Sequence, residues 1–254
     1  MNTLNPTNSQ FSAMTQNEKV LYAQFRRKIN LEASRAQVKK LEYNLCDPAA
    51  GLNMLKCACA DAGSLGIGGV CVMPAFVRQC AAYLGTQRQT RIIACINYPH
   101  GGDCTAIKVK AVKRAIKEGA DEVEVTVPVA HVRDGNFAYV RREFKKLRSA
   151  CKKRALRIDA ECSLLSKKEI IKVCLIAADC GVNSVKTSSG AIGGNELEII
   201  SDIKSAVKDK CGIKAEGVAT VLEMSSAIDM GASVIGSRNA ADVARMILAS
   251  AEME

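Results

Sequence analysis

The sequence predicts an α/β fold, a single (β/α)8 TIM barrel with an N-terminal helical extension. From about residue 38 the chain repeats one unit, a short apolar run followed by a turn and a helical pattern, and the unit occurs eight times. Alternating strands and helices are typical of a parallel sheet, and eight units of this length fit a closed barrel. An open, doubly wound sheet is the alternative, but it usually has a glycine-rich first turn, and the turn here reads "NLCDPAAG".

The predicted strands are short apolar segments bounded by turn residues. They are Val38–Tyr43, Gly69–Val72, Arg91–Ile96, Asp121–Val127, Leu156–Glu161, Ser184–Thr187, Ile213–Ala215 and Ser233–Gly236. Three helices are predicted to begin with a capping box, at Ser166 with Glu169, Asn195 with Glu198, and Thr220 with Glu223. Residues 1–37 are predicted to form an extension, partly helical or disordered, and residues 38–254 to form the barrel domain.

The composition is that of a globular protein, and the sequence also indicates a subcellular location. The chain has 254 residues, of which 48% are hydrophobic and 24% charged. It has no apolar run of about 18 residues, so no membrane span is expected. The polar N-terminus has no apolar core typical of a secretory signal, which favours a cytoplasmic protein.

The cysteines and the basic residues both raise questions of binding. Twelve cysteines are scattered along the chain without a C-x-x-C pair, so reduced thiols and no metal site are predicted.

The net charge is +10, and many cations surround the apolar series of one amphipathic helix near residues 140–154. This basic face is interpreted as solvated, with docking of a protein partner as the alternative. Nucleic-acid binding is not expected, because no aromatic stacking platform is evident.

Charged residues lie in or at the ends of predicted strands, where such barrels have their active sites. Glu42 and Glu124 lie in the first and fourth strands, and Glu161 ends the fifth. Lys186 and Lys214 lie at the ends of the sixth and seventh. Because neighbouring strands are about 4.8 Å apart, the two ammonium groups are predicted to approach each other. A lysine with a lowered pKa forms Schiff bases, whereas a structural layer of Lys–Glu pairs is the alternative.

Loops rich in glycine and serine follow the last three predicted strands. They read "SSGAIGG", "EGVAT" and "GSRNA". Such loops commonly hold a phosphate through backbone N–H groups in these barrels. The candidate phosphate-binding residues are Ser189, Gly190, Gly217, Gly236, Ser237 and Arg238. Ordinary short turns are the alternative interpretation of the glycines.

Five segments in order resemble those of one enzyme family. They are "VCVMPAFV", "INYPHGG", "GADEVEV", "SVKTSSG" and "GIKAEGVAT". With them the chain, from about residue 38 to 248, resembles the deoxyribose-phosphate aldolase family of class I, Schiff-base aldolases. The ordered set is far more specific than any single segment.

The resemblance implies a TIM barrel that cleaves 2-deoxy-D-ribose 5-phosphate reversibly into D-glyceraldehyde 3-phosphate and acetaldehyde, with no cofactor or metal. It implies that Lys186 forms the Schiff base and that Lys214 lowers the pKa of Lys186. Glu124 would take the place of the family's proton-relay aspartate, and Cys71 would lie near the substrate. Glu42 would take the place of another family aspartate. A homo-oligomer is a further expectation.

Departures from the family motifs leave two other functions open. Besides the two Asp-to-Glu differences, the glycine motif after Lys214 is one residue shorter and lacks its arginine. One alternative is a catalytically impaired, aldolase-fold binding or scaffold protein that acts through its basic helices. The other is a class I aldolase with a different substrate.

Overall fold

The computed structural model describes residues 12–193 and 197–253, and its strands form one closed barrel. All neighbouring strands are parallel and follow chain order, with the first strand pairing with both the second and the eighth. The predicted (β/α)8 fold is therefore confirmed. The strands are β1 (Leu41–Leu45), β2 (Gly69–Val72), β3 (Arg91–Ile96), β4 (Glu122–Thr126), β5 (Ala155–Asp159), β6 (Ser184–Lys186), β7 (Gly212–Ala215) and β8 (Val234–Ser237).

Helices connect consecutive strands and cover the outside of the barrel. They are α1 (Gln16–Val38), α2 (Leu52–Leu65), α3 (Val77–Leu84), α4 (Thr105–Glu118), α5 (Val129–Arg133), α6 (Phe137–Cys151), α7 (Lys167–Asp179), α8 (Ile199–Val207), α9 (Val221–Asp229) and α10 (Ala240–Met253). Single 3-10 turns at Pro74–Phe76 and Cys162–Leu164 follow β2 and β5.

The predicted start of the first strand is wrong by three residues. Val38 is the last residue of α1, and β1 begins at Leu41. Thr15 and Glu18 form a capping box that starts α1, which sequence inspection did not identify. Helix α1 packs against α10. A cavity of about 790 Å³, lined in part by Lys39, Gly68 and Arg91, lies at the amino ends of the strands.

Two of the predicted capping boxes are confirmed. Ser166 pairs with Glu169 at the start of α7, and Thr220 pairs with Glu223 at the start of α9. The third involves Asn195, which lies outside the described residues. Each capping box satisfies two backbone N–H groups that the first helical turn leaves unpaired, and so fixes where the loop above the barrel ends.

The main apolar core lies between the barrel and the helices, while the barrel interior holds ionisable groups and a small apolar cluster of Cys46, Cys71, Ile93 and Cys95. As the alternation in "DEVEVTV" predicts, Val123, Val125 and Val127 belong to the outer core, and Glu124 contacts charged residues of other strands across the interior. One face of β4 therefore packs in the apolar core, and the other face carries a charged side chain into the barrel interior. A ring of ionisable groups is buried inside the barrel.

The basic amphipathic helix is confirmed as α6. Its apolar side, which includes Phe144 and Leu147, is buried, whereas Lys145 and Lys146 are exposed. Arg141 on this face pairs with Asp179 of α7 at 3.2 Å. The face is thus partly engaged within the chain and otherwise exposed on it. Among the described residues, no helix is long and apolar enough to cross a bilayer.

Candidate active site

The two lysines predicted to act together lie side by side in the barrel interior. Lys186 is the last residue of β6 and Lys214 lies in β7, and the parallel register places them directly opposite each other. Both side chains are fully buried. The strand register alone thus brings two cations together at the carboxyl ends of the strands, where TIM barrels have their active sites.

Glu124 of β4 joins the two lysines across the barrel interior. Its Oε2 atom lies 3.0 Å from the Lys186 Nζ atom, and its Oε1 atom lies 2.8 Å from the Lys214 Nζ atom. The Arg157 guanidinium also donates to Oε1. Burial tends to raise the pKa of Glu124, but Lys186, Lys214 and Arg157 hold it well below its usual range. The carboxylate is therefore ionised and is shared by both amines.

Glu42 supports Lys214 from β1. The Glu42 Oε2 atom lies 2.8 Å from the Lys214 Nζ atom and accepts a hydrogen bond of 2.8 Å from Arg157. Against the effect of burial, these two cations lower the pKa of Glu42 to about 2. The structure thus places Glu42, predicted to bind substrate, in contact with the second lysine and with arginines.

That Lys214 lowers the pKa of Lys186 stays a prediction, although the net shift of the Lys186 pKa in this structure is upward. Burial alone would lower the pKa of Lys186, but the charges of Glu124, Glu216 and Asp159 outweigh burial and raise it well above its usual value. Burial likewise tends to lower the pKa of Lys214, but the charges of Glu124 and Glu42 raise it well above its usual value. Both amines are therefore protonated, because their attraction to the surrounding carboxylates outweighs burial and the repulsion between the two cations.

Two acids beside Lys186 were missed by sequence analysis. Glu216 Oε2 lies 3.1 Å from the Lys186 Nζ atom and 3.5 Å from that of Lys214, and Asp159 Oδ2 lies 4.0 Å from Lys186. A signal existed for Asp159, because it alternates with Arg157 in "LRID" and therefore shares its inward face. Glu216 directly follows β7 and was taken as part of a glycine turn.

The acids around Lys186 differ in the direction in which their pKa values are shifted. Burial raises the pKa of Asp159 well above its usual value, and the nearby charges of Glu161 and Glu124 add to this effect against the opposing charge of Lys186. A carboxyl group with a raised pKa thus lies close to Glu124, whose pKa is lowered. Pairs of carboxyl groups whose environments separate their pKa values are typical of acid–base sites.

The loops predicted to hold a phosphate come together above β7 and β8. Gly190, Gly217, Ser237 and Arg238 line one pocket of about 340 Å³. Arg238 donates a hydrogen bond of 2.9 Å to the Gly190 carbonyl, which fixes two of the loops against each other. The Glu216 carboxylate also lines this pocket, so the pocket borders the group that contacts both lysines.

The other predicted residues lie next to this pocket or below it. Ser189 is buried, its backbone N–H donates to Glu161 at 2.7 Å, and its hydroxyl accepts from the Ala191 N–H at 3.1 Å. Gly236 lies directly under Glu216, where a side chain would collide with it. Cys71 is fully buried, and its Sγ atom lies 3.3 Å from Glu124.

Comparison with known proteins identifies the family. A family model described as "DeoC/LacD family aldolase" matches residues 34–239. The chain belongs to the DeoC/LacD family of aldolases. Deoxyribose-phosphate aldolase 1 of Vibrio vulnificus (strain YJ016) is 33% identical over 199 residues, covering 78% of this chain and 90% of the relative. Deoxyribose-phosphate aldolase of Frankia alni is 32% identical over 221 residues, covering 82% and 96%.

Solved structures agree with this assignment of the fold. The aldolase named QR15 superposes with a TM-score of 0.81 at 25% identity, covering 85% of this chain and 97% of that one. A putative deoxyribose-phosphate aldolase from Coccidioides immitis has a TM-score of 0.78 at 20% identity, covering 92% and 98%. A deoxyribose phosphate aldolase from Aeropyrum pernix, described as tetrameric, has a TM-score of 0.76 at 19% identity, covering 87% and 94%. The comparisons thus favour an aldolase over the non-catalytic alternative.

Proposed function

We propose that this chain cleaves 2-deoxy-D-ribose 5-phosphate reversibly into D-glyceraldehyde 3-phosphate and acetaldehyde through a Schiff base on Lys186. One observation carries the proposal: Lys186 and Lys214 share the ionised carboxylate of Glu124, at 3.0 and 2.8 Å, in a fully buried site. This substrate is the one in the names of the relatives from Vibrio and Frankia.

The first step requires a neutral amine on Lys186. Its proton passes to a neighbouring carboxylate, for which Glu216 at 3.1 Å is the nearest after Glu124. The amine then attacks the aldehyde carbon of the open-chain sugar, and the carbinolamine loses water to give a protonated imine. Asp159, whose raised pKa favours its protonated form, supplies the proton for the departing water.

The second step breaks the carbon–carbon bond. A carboxylate takes the proton from the 3-hydroxyl group, the bond between carbons 2 and 3 breaks, and its electrons move into the imine to form an enamine. D-glyceraldehyde 3-phosphate leaves with the new aldehyde group. The enamine carbon then takes a proton, and water hydrolyses the imine to release acetaldehyde and free Lys186. Glu124 stabilises the cationic intermediates because it lies between both amines.

The substrate's phosphate is assigned to the 340 Å³ pocket above β7 and β8. Gly190 and Gly217 both have positive φ angles there, which favour glycine, and without side chains their backbone is open to a close ligand. Arg238 is exposed beside them and supplies a positive charge. The pocket borders Glu216, which in turn contacts Lys186, so a sugar can extend from the phosphate to the amine.

Trapping of the imine tests this function. Borohydride reduction in the presence of 2-deoxy-D-ribose 5-phosphate is expected to leave a stable adduct on Lys186, located by peptide mass spectrometry. The Lys186→Ala variant should lose both the adduct and the retro-aldol activity. Lys210→Ala, which changes an exposed lysine, is the matched control and should retain both. An adduct that persists in Lys186→Ala would disprove the assignment.

We further propose that the chain forms a homo-oligomer in the cytoplasm. The support is the tetramer described for the Aeropyrum pernix structure. Light scattering coupled to size exclusion measures the mass of the particle directly. A mass equal to the 27.2 kDa chain at all concentrations would contradict the proposal.

A further inference from the structure

Three cysteines from successive strands meet inside the barrel beside the active site. Cys46 directly follows β1, while Cys71 lies in β2 and Cys95 in β3. The Sγ atom of Cys95 lies 3.1 Å from that of Cys46 and 3.1 Å from that of Cys71. All three thiols are free and buried. They are about 25 residues apart in the chain, and the parallel pairing of β1 with β2 and of β2 with β3 brings them together.

Glu124 offers a fourth donor beside two of the three cysteines. Glu124 Oε2 lies 3.3 Å from the Cys71 Sγ atom and 3.5 Å from the Cys95 Sγ atom. Bond lengths of about 2.3 Å to sulfur and 2.0–2.2 Å to oxygen imply tetrahedral edges of about 3.8 Å between sulfurs and 3.5 Å between sulfur and oxygen. The two sulfur–sulfur and two sulfur–oxygen distances each lie within about 0.7 Å of those edges, and Cys46 must move towards Glu124 for all four donors to surround one metal ion.

The charges inside the barrel also favour a bound cation. Around the lysines, four acids (Glu42, Glu124, Asp159 and Glu216) face three bases (Lys186, Lys214 and Arg157). A divalent cation that displaces thiol protons adds little net charge to this buried set. Met73, whose thioether is also a soft donor, packs against the three cysteines.

We propose that Cys46, Cys71, Cys95 and the Glu124 Oε2 atom bind one thiophilic divalent cation of the zinc and cadmium class. Binding releases the thiol protons to solvent and converts the thiols to thiolates, so it strengthens as pH rises. It also removes Glu124 from Lys186, because one oxygen cannot serve both the metal and the amine. The metal-bound chain is therefore inactive as an aldolase, and this consequence rests on the proposed function.

Cadmium titration tests the site through an optical signal that does not depend on activity. Thiolate coordination gives a ligand-to-metal charge-transfer absorption in the ultraviolet, which should saturate at one Cd²⁺ per reduced full-length chain. Cys46→Ser and Cys95→Ser should each reduce the band and weaken binding at least tenfold. The matched control is the double variant Cys57→Ser and Cys104→Ser, which removes two exposed thiols and should leave the band unchanged.

The outcomes separate this site from incidental binding. A wild-type chain without the band, or a band that disappears in the control variant instead, would overturn the proposal. Circular dichroism of each variant establishes whether it is folded, and Cd²⁺ should raise the melting temperature of the wild type but not of Cys46→Ser. Binding without loss of aldolase activity would contradict ligation by Glu124, while failure of the aldolase assay alone would leave the optical result intact.

Discussion

At the scale of single residues, Glu124 is the group on which the site depends most. Its two oxygens reach from β4 to Lys186 of β6 at 3.0 Å and to Lys214 of β7 at 2.8 Å. The glutamate is thus long enough for both contacts. An aspartate at this position would withdraw the carboxylate by about one methylene.

We expect Glu124→Asp to lower kcat by about 10²-fold, because a displacement near 1 Å in a catalytic group has an effect of that size. A retro-aldol assay on 2-deoxy-D-ribose 5-phosphate measures kcat and KM for both forms. Glu122→Asp makes the same change two residues earlier on the same strand. It is the control and should reduce kcat less than Glu124→Asp does. A rise in kcat in Glu124→Asp would show that the glutamate weakens catalysis.

Gly236 is the second residue whose identity follows from the geometry. A Cβ atom on it would lie 2.7 Å from the Lys214 Cε atom and would also collide with the Glu216 carboxylate. We therefore expect Gly236→Ala to displace both groups and to reduce kcat/KM by at least 10²-fold. Steady-state kinetics on the substrate above give the value.

Gly63→Ala is the control for this substitution. Gly63 lies in α2, and no atom lies within 4 Å of the position of an added Cβ. The change should leave the kinetics unaltered and stabilise the helix by about 0.5–1 kcal/mol. Wild-type kinetics in Gly236→Ala would mean that Glu216 and Lys214 can move without loss of function.

At the scale of secondary-structure elements, one buried ion pair joins α4 to α6. Lys108 of α4 is fully buried, donates 2.7 Å to Glu143 of α6, and donates 3.2 Å to the Thr126 carbonyl at the end of β4. Thr105 donates to the other Glu143 oxygen at 2.8 Å. The pair therefore fixes two helices against the strand that carries Glu124.

We expect Glu143→Leu to destabilise the protein by about 3–5 kcal/mol, because Lys108 would remain buried without a counter-charge. Urea unfolding monitored by circular dichroism measures the free energy. The double variant Lys108→Met with Glu143→Leu should recover most of the loss, since no buried charge then remains. A single variant as stable as the wild type would show that α4 and α6 are held together by their apolar contacts alone.

The elements also show how far the sequence could be interpreted. Strands β2 and β3 were predicted at their observed bounds because apolar runs and turn residues mark both ends. The start of β1 was not predicted correctly, because an apolar residue such as Val38 fits either a helix or a strand. The sequence signal for α1 is the capping box at Thr15, which marks where this helix begins but not where it ends. The lysine pair was predictable from strand order. The Glu216 contact was not, because it depends on a side chain that turns back from a loop.

At the scale of the whole molecule, buried acids make the barrel sensitive to acid. Burial tends to raise the pKa of Glu42, but Arg157 and Lys214 hold it at about 2, against an ordinary value of 4.5. Because the folded state lowers this pKa, the resulting stabilisation is complete above about pH 4.5 and is lost as pH falls towards 2.

We therefore expect the free energy of unfolding to fall between pH 4.5 and 2, with a smaller slope in Glu42→Gln than in the wild type. Urea unfolding at a series of pH values measures both slopes. Asp229→Asn, which changes an exposed acid on α9, should keep the wild-type slope. Equal slopes in the wild type and Glu42→Gln would mean that Glu42 is not ionised in the folded barrel.

The last whole-molecule question is what α1 contributes to the barrel. The family match begins at residue 34, whereas α1 begins at Gln16 and packs against α10. Val38 is the buried residue of α1, and the Lys40 carbonyl accepts from the Ile235 N–H at 2.9 Å at the start of the β1–β8 pairing. The contacts that close the barrel therefore lie at the end of α1 and just beyond it.

We propose that the barrel is a domain that folds without the preceding segment. Removal of residues 1–33 spares the buried end of α1. We therefore expect it to change the free energy of unfolding by less than about 1 kcal/mol. Aldolase activity should be retained. Removal of residues 1–40 is the matched control and should destabilise the protein by several-fold more, because it deletes Val38 and the Lys40 carbonyl. Urea unfolding of the two truncated forms measures both effects. If the shorter truncation unfolds the protein, the segment is part of the barrel's folding unit rather than an extension of it.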